Sequence, residues 1–444
     1  MPILILWGMV EALWGYAQLF GILPSGSGRF AVTGSFFNPG PYCAFLGSMT
    51  PVAVYWVIRK RNRAEEIGGW VYIALAGALM PILMGRTGWL AAGISSLIVW
   101  FCTAVKDRYE VRWNYARFTG GLLIICLIAS ELFYFLKPAS ASGRVFIWMM
   151  GCKAMWDTKG KGIGWDEVPG AIGEAQECYF AAHPNSIFIP VAGSPDYAFN
   201  EFLQLGIAGG AAVLTLFIVI PLMFTLISFY SRNYGIFGCW IASLITCLGS
   251  YPLQFASFRI LIWVLAIITV IRATVYHPDG RRRYIHPRKK AEHYVGLTMV
   301  ILFLAAIPVC LELAIKEERH DPRILFERGR MLRRMGKFEA SNEVLLEGLK
   351  YSGDPMFLNL LGRNMEDMGL CREAERYYRR SINRLPSRLY PYYLLAKMYA
   401  GGECRDSVKF EEVYRKATSM QLKVASPATE DMLRELREIK NTDL

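Results

Sequence analysis

The sequence predicts an all-α fold, a polytopic helical membrane protein followed by an array of paired helices. Three observations carry that expectation. Of the 444 residues, 54% are hydrophobic and 14% aromatic, above the usage of ordinary soluble chains. The apolar residues gather in runs of about 20, the length that crosses a hydrocarbon layer about 30 Å thick. All such runs fall within residues 1–315, whereas 316–444 are dense in Arg, Lys and Glu and hold none. Two domains are therefore expected: a membrane domain over 1–315 with a large outer loop at 137–202, and a second domain over 316–444.

Taken in order, the runs lie near 3–22, 41–58, 69–85, 88–105, 119–136, 203–229, 235–252, 258–276 and 295–315, which makes nine expected spans. Basic residues concentrate in the loops 59–63, 106–117, 231–234 and 277–290. Assigning these loops to the cytoplasm leaves the alternate loops poor in Lys and Arg, as the positive-inside rule requires. The amino terminus is then inside and the carboxyl-terminal domain outside. Met1 leads almost directly into the first run, with no basic leader and no small-residue cleavage site, so a retained first span is expected rather than a removable signal peptide.

Three segments face outward in this arrangement: 23–40, the hairpin tip around Arg86, and the stretch 137–202. The last is too long for a connector. Within it Val145, Trp148, Met149, Cys152, Met155 and Trp156 recur at helical spacing, which predicts an amphipathic helix over 143–156 lying at the membrane interface. The following "DTKGKGIGWDEVPG" is punctuated by glycine but has no strand ahead of it, so a dinucleotide or phosphate-loop reading fails on context.

In the second domain Gly329, Gly336 and Ala340 recur as Gly362, Gly369 and Ala374, at offsets of 33 and 34, and a third partial unit runs from Tyr392 through Ala396 to Tyr414. Small residues where paired helices touch, with Pro386 closing a unit, resemble tetratricopeptide repeats, whose period is about 34 residues. Stacked hairpins of that kind create a concave surface. A docking groove for a peptide or protein partner and a rigid cap for the membrane domain are both open uses of it.

The formal net charge of +12 resides largely in "RKRNR" and "HPDGRRRYIHPRKK", which flank apolar runs. That is an orienting pattern, not a nucleic-acid surface. The ten cysteines form no CxxC pair and several sit inside apolar runs, so no metal site and no cofactor is expected. Cys152 and Cys178 share one loop and Cys371 and Cys404 one domain, candidates for disulfides if those regions face an oxidising compartment.

Several residues could carry chemistry. Arg86, in "LMGRTGWLAAG", places a guanidinium at the outer end of a helical hairpin, where an arginine either faces a polar cavity or an anion, or snorkels to the headgroups. Arg144 opens the expected interfacial helix on the same side. Two arginines can grip a diphosphate with paired hydrogen bonds, and Arg29 and Arg259 are weaker candidates for the same task. Asp196, Asn200 and Glu201 stand at the start of the sixth span, where a carboxylate could deprotonate a sugar hydroxyl while arginines hold a phosphate leaving group. Helix capping is the plainer use of the same residues. His183 is the one histidine on the outer loop, and Glu11, Gln18 and Glu131 lie in or beside spans, where buried polar groups are functional or interhelical by default. Asn38, Pro39, Gly40 and Pro41 bend the chain at the start of the second span, as turn formers do around a polar pocket.

Together these pieces resemble the superfamily of O-antigen ligases and O-antigen polymerases, bacterial membrane glycosyltransferases. Gln18 and Gly21 followed by "TGSFFNPGPYCAFL" are similar to the family's glycine-threonine-phenylalanine-asparagine-proline segment, and "GRTGWLAAG" to its arginine-bearing hairpin. "SGRVFIW" is similar to its glycine-arginine-x-x-x-tryptophan segment, and "FNEFLQLGIAGG" to its histidine-asparagine-x-x-leucine segment. The resemblance covers roughly residues 5 to 275. It implies a GT-C-like membrane fold and a metal-independent, inverting transfer at the periplasmic face of the bacterial inner membrane. A glycan on undecaprenyl diphosphate passes to a hydroxyl of lipid A core, a growing glycan or a protein. Arg86 and Arg144, with Asn38 and Arg259 nearby, would bind the donor, while Asn200 and Glu201 position the acceptor. The chain departs from the family at Phe199, where relatives carry a histidine proposed to act in acceptor activation. Glu201, Asp196 or His183 then substitutes, or the branch uses another base, or transfer has been lost. Relatives also have more spans ahead of the first matching segment, so a shortened amino terminus is expected. A non-catalytic membrane scaffold whose repeats recruit partners of envelope glycan assembly is the alternative reading.

Overall fold

The computed structural model describes residues 1–106, 138–275, 320–420 and 426–443, and every regular element among them is helical. They cluster into two compact units, one holding 1–106, 199–202 and 213–275, the other 138–198, 203–212 and the residues from 320 onward. The segment 138–198, which the sequence reading attaches to the membrane domain, thus shares its contacts with the carboxyl-terminal helices.

The first unit contains α1 (Pro2–Leu19), α2 (Pro39–Arg59), α3 (Arg63–Leu83), α4 (Arg86–Trp100, continued by a π-helical turn, Phe101–Lys106), α7 (Glu201–Tyr230, less 203–212), α8 (Tyr234–Gly249) and α9 (Ala256–Val275). Among the described residues five stretches are long and apolar enough to cross a bilayer: Pro39–Arg59, Arg63–Leu83, Arg86–Ala104, Glu201–Tyr230 and Ala256–Ala273; α1, from the run expected over 3–22, is not one of them. The run expected over 235–252 forms a shorter apolar helix that stops at Gly249, just ahead of Pro252, where a proline cannot continue an α-helical ladder. The runs at 119–136 and 295–315, the basic loop 277–290 and Glu131 lie outside the described residues.

Centred on α2, this unit's core joins Tyr42, Phe45, Met49 and Trp56 to Tyr72 and Leu79 of α3, Val99 of α4 and Trp240 of α8. Gly47 of α2 and Gly88 of α4 let those two backbones meet, since a Cβ on Gly47 would strike the Gly88 carbonyl. Two buried polar residues of α1 fasten the loop that follows it. Gln18 Oε1 accepts from the backbone N–H groups of Thr33 (2.9 Å) and Gly34 (2.8 Å), and Glu11 Oε1 accepts from the Ser35 hydroxyl at 2.9 Å. Buried polar groups are stable only when paired in this way.

The second unit begins with α5 (Pro138–Asp157) and α6 (Val168–Ala182), followed by α10 (Pro322–Arg334), α11 (Phe338–Tyr351), α12 (Met356–Asp367), α13 (Cys371–Arg384), α14 (Leu389–Ala400), α15 (Ser407–Ser419) and α16 (Pro427–Asp443). The helix expected over 143–156 lies within α5. It buries Phe146, Met150, Gly151 and Ala154, leaving Val145, Met149, Cys152 and Trp156 exposed as one stripe. Phe146 packs against Tyr179, Phe180 and Phe188 at centroid distances of 5.3, 5.2 and 5.1 Å. On α6, Glu177 pairs with Arg380 (2.6 Å) and Arg384 (2.9 Å) of α13, and Gln176 donates to the Arg384 carbonyl.

From α10 onward the helices pair as hairpins. Gly336 and Gly369, matched by the sequence period, turn the first two hairpins at φ +73° and +74°, in the left-handed region that a glycine enters without a Cβ clash. Gly329 faces Leu345 and Gly362 faces Tyr378 across each pair. A disulfide joins Cys371 to Cys404.

The glycine-rich segment after α5 has a structural task. Gly210 interrupts α7 at φ +72°, ψ −171°, and the amides this break leaves are met by the segment. Ile163 and Gly164 donate to the Ala208 carbonyl (3.1 and 2.9 Å), and Ala211 donates to the Gly160 carbonyl at 2.9 Å. A Cβ on Gly162 would lie 2.7 Å from the Ala208 carbonyl oxygen.

Candidate functional site

Within the first unit three helix starts are tied to one short link, residues 249–253, between α8 and α9. Asn38 caps α2: its Oδ1 accepts from the Gly40 N–H at 2.9 Å, and its Nδ2 donates to the Tyr251 hydroxyl at 3.0 Å. Arg86 is the first residue of α4, and its neighbour Thr87 donates through Oγ1 to the Gly249 carbonyl at 3.2 Å. Glu201 opens α7, and its Oε1 accepts from the Leu253 N–H at 2.7 Å. The Cys43 thiol of α2 also donates to the Gly85 carbonyl at 3.3 Å, which fixes the residue ahead of Arg86. Asn38, Arg86 and Glu201, remote in sequence, are thereby held around one link, and three positive helix ends accompany them.

Glu201 is only 1% exposed, and its Oε2 has no hydrogen-bond partner among the described residues. A buried carboxyl oxygen left unpaired costs roughly 1–3 kcal/mol, so one half of this side chain is structural and the other bonds nothing among the described residues. Arg86 is half-buried, whereas Arg259 is exposed on α9. Asn200 Oδ1 accepts from the Phe202 N–H at 2.9 Å, a local turn that starts α7.

Phe199 occupies the position where the resembled family has histidine. Its backbone is left-handed, φ +52°, a conformation that costs an aromatic residue roughly 1–3 kcal/mol. Its ring meets Tyr251 edge-on, centroids 5.0 Å apart at 89°. Phe199 thus braces the tyrosine that Asn38 bonds and can offer no proton acceptor. Tyr251 carries little signal in the sequence. Its only signal is an aromatic residue directly before Pro252 at the end of an apolar run.

Arg144, His183 and Asp196 belong to the second unit. Arg144 is half-buried on α5, and Asp196 is exposed. His183 is exposed, stacks on Tyr179 at 4.6 Å and places Nδ1 3.0 Å from the Tyr179 carbonyl. This unit also holds a groove of about 1140 Å³ between residues 184–190 and helices α13 to α15, lined by Asn185, Ile187, Asn383, Ser387 and Tyr392 among others. The Ser387 hydroxyl is buried there without a hydrogen-bond partner among the described residues. Among the described residues, no group of three His, Cys, Asp or Glu side chains could hold a metal ion.

Comparison with known proteins returns no matching family model, no matching curated protein and no matching solved structure.

Proposed function

We propose that the chain is a bacterial inner-membrane glycan ligase or polymerase that uses an undecaprenyl-diphosphate-linked donor and an acceptor hydroxyl. The reading rests on the convergence on the 249–253 link of Asn38, Glu201 and Thr87, which follows Arg86 at the start of α4. Glu201 Oε2 takes the proton of the acceptor hydroxyl as its oxygen bonds to the anomeric carbon, and the bond from that carbon to the diphosphate oxygen breaks with inversion. The guanidinium of Arg86 neutralises the departing undecaprenyl diphosphate. Asn38, held by Gly40 and Tyr251, sets the wall of the site.

In this reading nine spans place the amino terminus in the cytoplasm and the hairpins, as tetratricopeptide-type repeats, in the periplasm. The Cys371–Cys404 disulfide supports that side for the repeats, because disulfides persist in oxidising compartments. The alternative, a scaffold without transfer activity, is favoured by Phe199 at the histidine position and by the large groove of the second unit. Arg86→Ala, expressed at normal level in the native host, separates the two. Loss of surface glycan at least about 100-fold is expected of the transferase, and an unchanged glycan profile refutes it.

A further inference from the structure

We propose that α10, the first helix of the hairpin array, docks on the membrane surface by gripping anionic phospholipid headgroups. One side of α10 packs inward through Leu325 and Gly329. A separate face, about a third of a turn away, exposes Ile324, Met331 and Met335 at 60%, 58% and 57%, positions that recur along one line of an α-helix. Arg323, Arg330 and Arg334 form a row on one flank of that line and Arg328 stands on the other, all exposed. Arg330 pairs with Glu327 at 2.5 Å, while Arg323, Arg328 and Arg334 form no ion pair among the described residues. A shallow depression of about 620 Å³ runs along the same face.

An apolar line edged by guanidinium groups is the pattern of a helix lying in the plane of the interface, its apolar side chains among acyl chains and its cations among phosphates. The guanidinium fork pairs with phosphate oxygens in a way that a lysine does not. Chain length supports the bilayer as the occupant. Six residues, 316–321, separate the end of the apolar run 295–315 from Pro322, a reach of about 24 Å at full extension. The inference rests on that run entering the membrane, and it is independent of glycosyl transfer. The same unit carries a second exposed apolar stripe, Val145, Met149, Cys152 and Trp156 on α5, which suits a body that lies on lipid.

The test uses the full-length protein in phosphatidylcholine nanodiscs doped with photoactivatable phosphatidylglycerol or, at equal mole fraction, photoactivatable phosphatidylcholine. Lipid adducts are mapped by mass spectrometry. Adducts on residues 322–335 are expected to be at least about fivefold more abundant with phosphatidylglycerol, and high salt should reduce them. Combining Arg323→Ala, Arg328→Ala and Arg334→Ala, all surface positions, should abolish the preference while adducts on the spans persist. Met331→Glu should lower the yield from both lipids. Equal yields from the two lipids, no adducts on this helix, or an unchanged preference in the triple variant overturns the proposal. So do protein cross-links from this face, whether to residues 276–319, a second copy or an acidic partner, in place of lipid adducts.

Discussion

Glu201→Gln separates the two halves of the Glu201 side chain. The glutamine carbonyl can take the place of Oε1 and keep the bond from the Leu253 N–H, 2.7 Å long in the native protein. What changes is the unpartnered Oε2, which becomes an amide group unable to accept a proton. If Glu201 were only a brace for the 249–253 link, the substitution would leave transfer intact. Replacing a charge-bearing group in a site 1% exposed by a neutral one of the same shape changes stability by less than about 1–2 kcal/mol, because the desolvation it relieves offsets the weaker bond. As the base, its loss should cost about 100- to 10,000-fold in turnover, or about 3–5 kcal/mol of barrier. The assay is release of undecaprenyl diphosphate from a lipid-linked glycan in proteoliposomes, with thermal melting of the same samples as control. Turnover within about threefold of the native protein at equal stability would refute the assignment.

Three further outcomes follow from the geometry. Glu177→Ala should destabilise the second unit by about 3–5 kcal/mol, read by proteolysis under native conditions, because Arg384 is 3% exposed and loses its carboxylate partner. Joint Glu177→Met and Arg384→Met should recover most of that loss. Gly210→Ala should open the 158–164 segment to hydrogen exchange, since a Cβ there strikes the Gly160 carbonyl and the left-handed backbone disfavours it. Burial raises the Glu375 carboxyl, but hydrogen bonds from Lys409 and Arg379 outweigh it and hold its pKa below the ordinary value. Its contribution to stability is therefore full above about pH 4.3 and lost as pH falls through the depressed folded value. Lys409→Met should flatten the acid limb of the melting curve in that window.

Much of the helical layout is legible in the sequence because a long apolar run specifies its own partner, the hydrocarbon core. The break at Gly210 is not, since α7 is apolar all round and only the tertiary approach of residues 160–164 satisfies the freed amides. The attachment of 138–198 to the hairpins escapes for a related reason. It rests on contacts such as Gly170 against the Lys350 carbonyl and Glu177 with Arg384, which join residues about 200 positions apart without any local pattern. Within the site, Asn38, Arg86 and Glu201 draw notice as polar residues at the ends of apolar runs. That Asn38, Glu201 and Thr87, the neighbour of Arg86, are tied to 249–253 depends on the link after α8, whose own sequence offers only Tyr251 and Pro252.

The fastening of residues 33–35 by Gln18 and Glu11 makes the first helix a template for the loop that follows it. Exchanging it for a foreign helix of equal length and apolar content would orphan the amides of Thr33 and Gly34 and the Ser35 hydroxyl. A hybrid of that kind could keep its helix content yet present a slack turn ahead of Asn38, so helicity would be a poor proxy for a correctly assembled site.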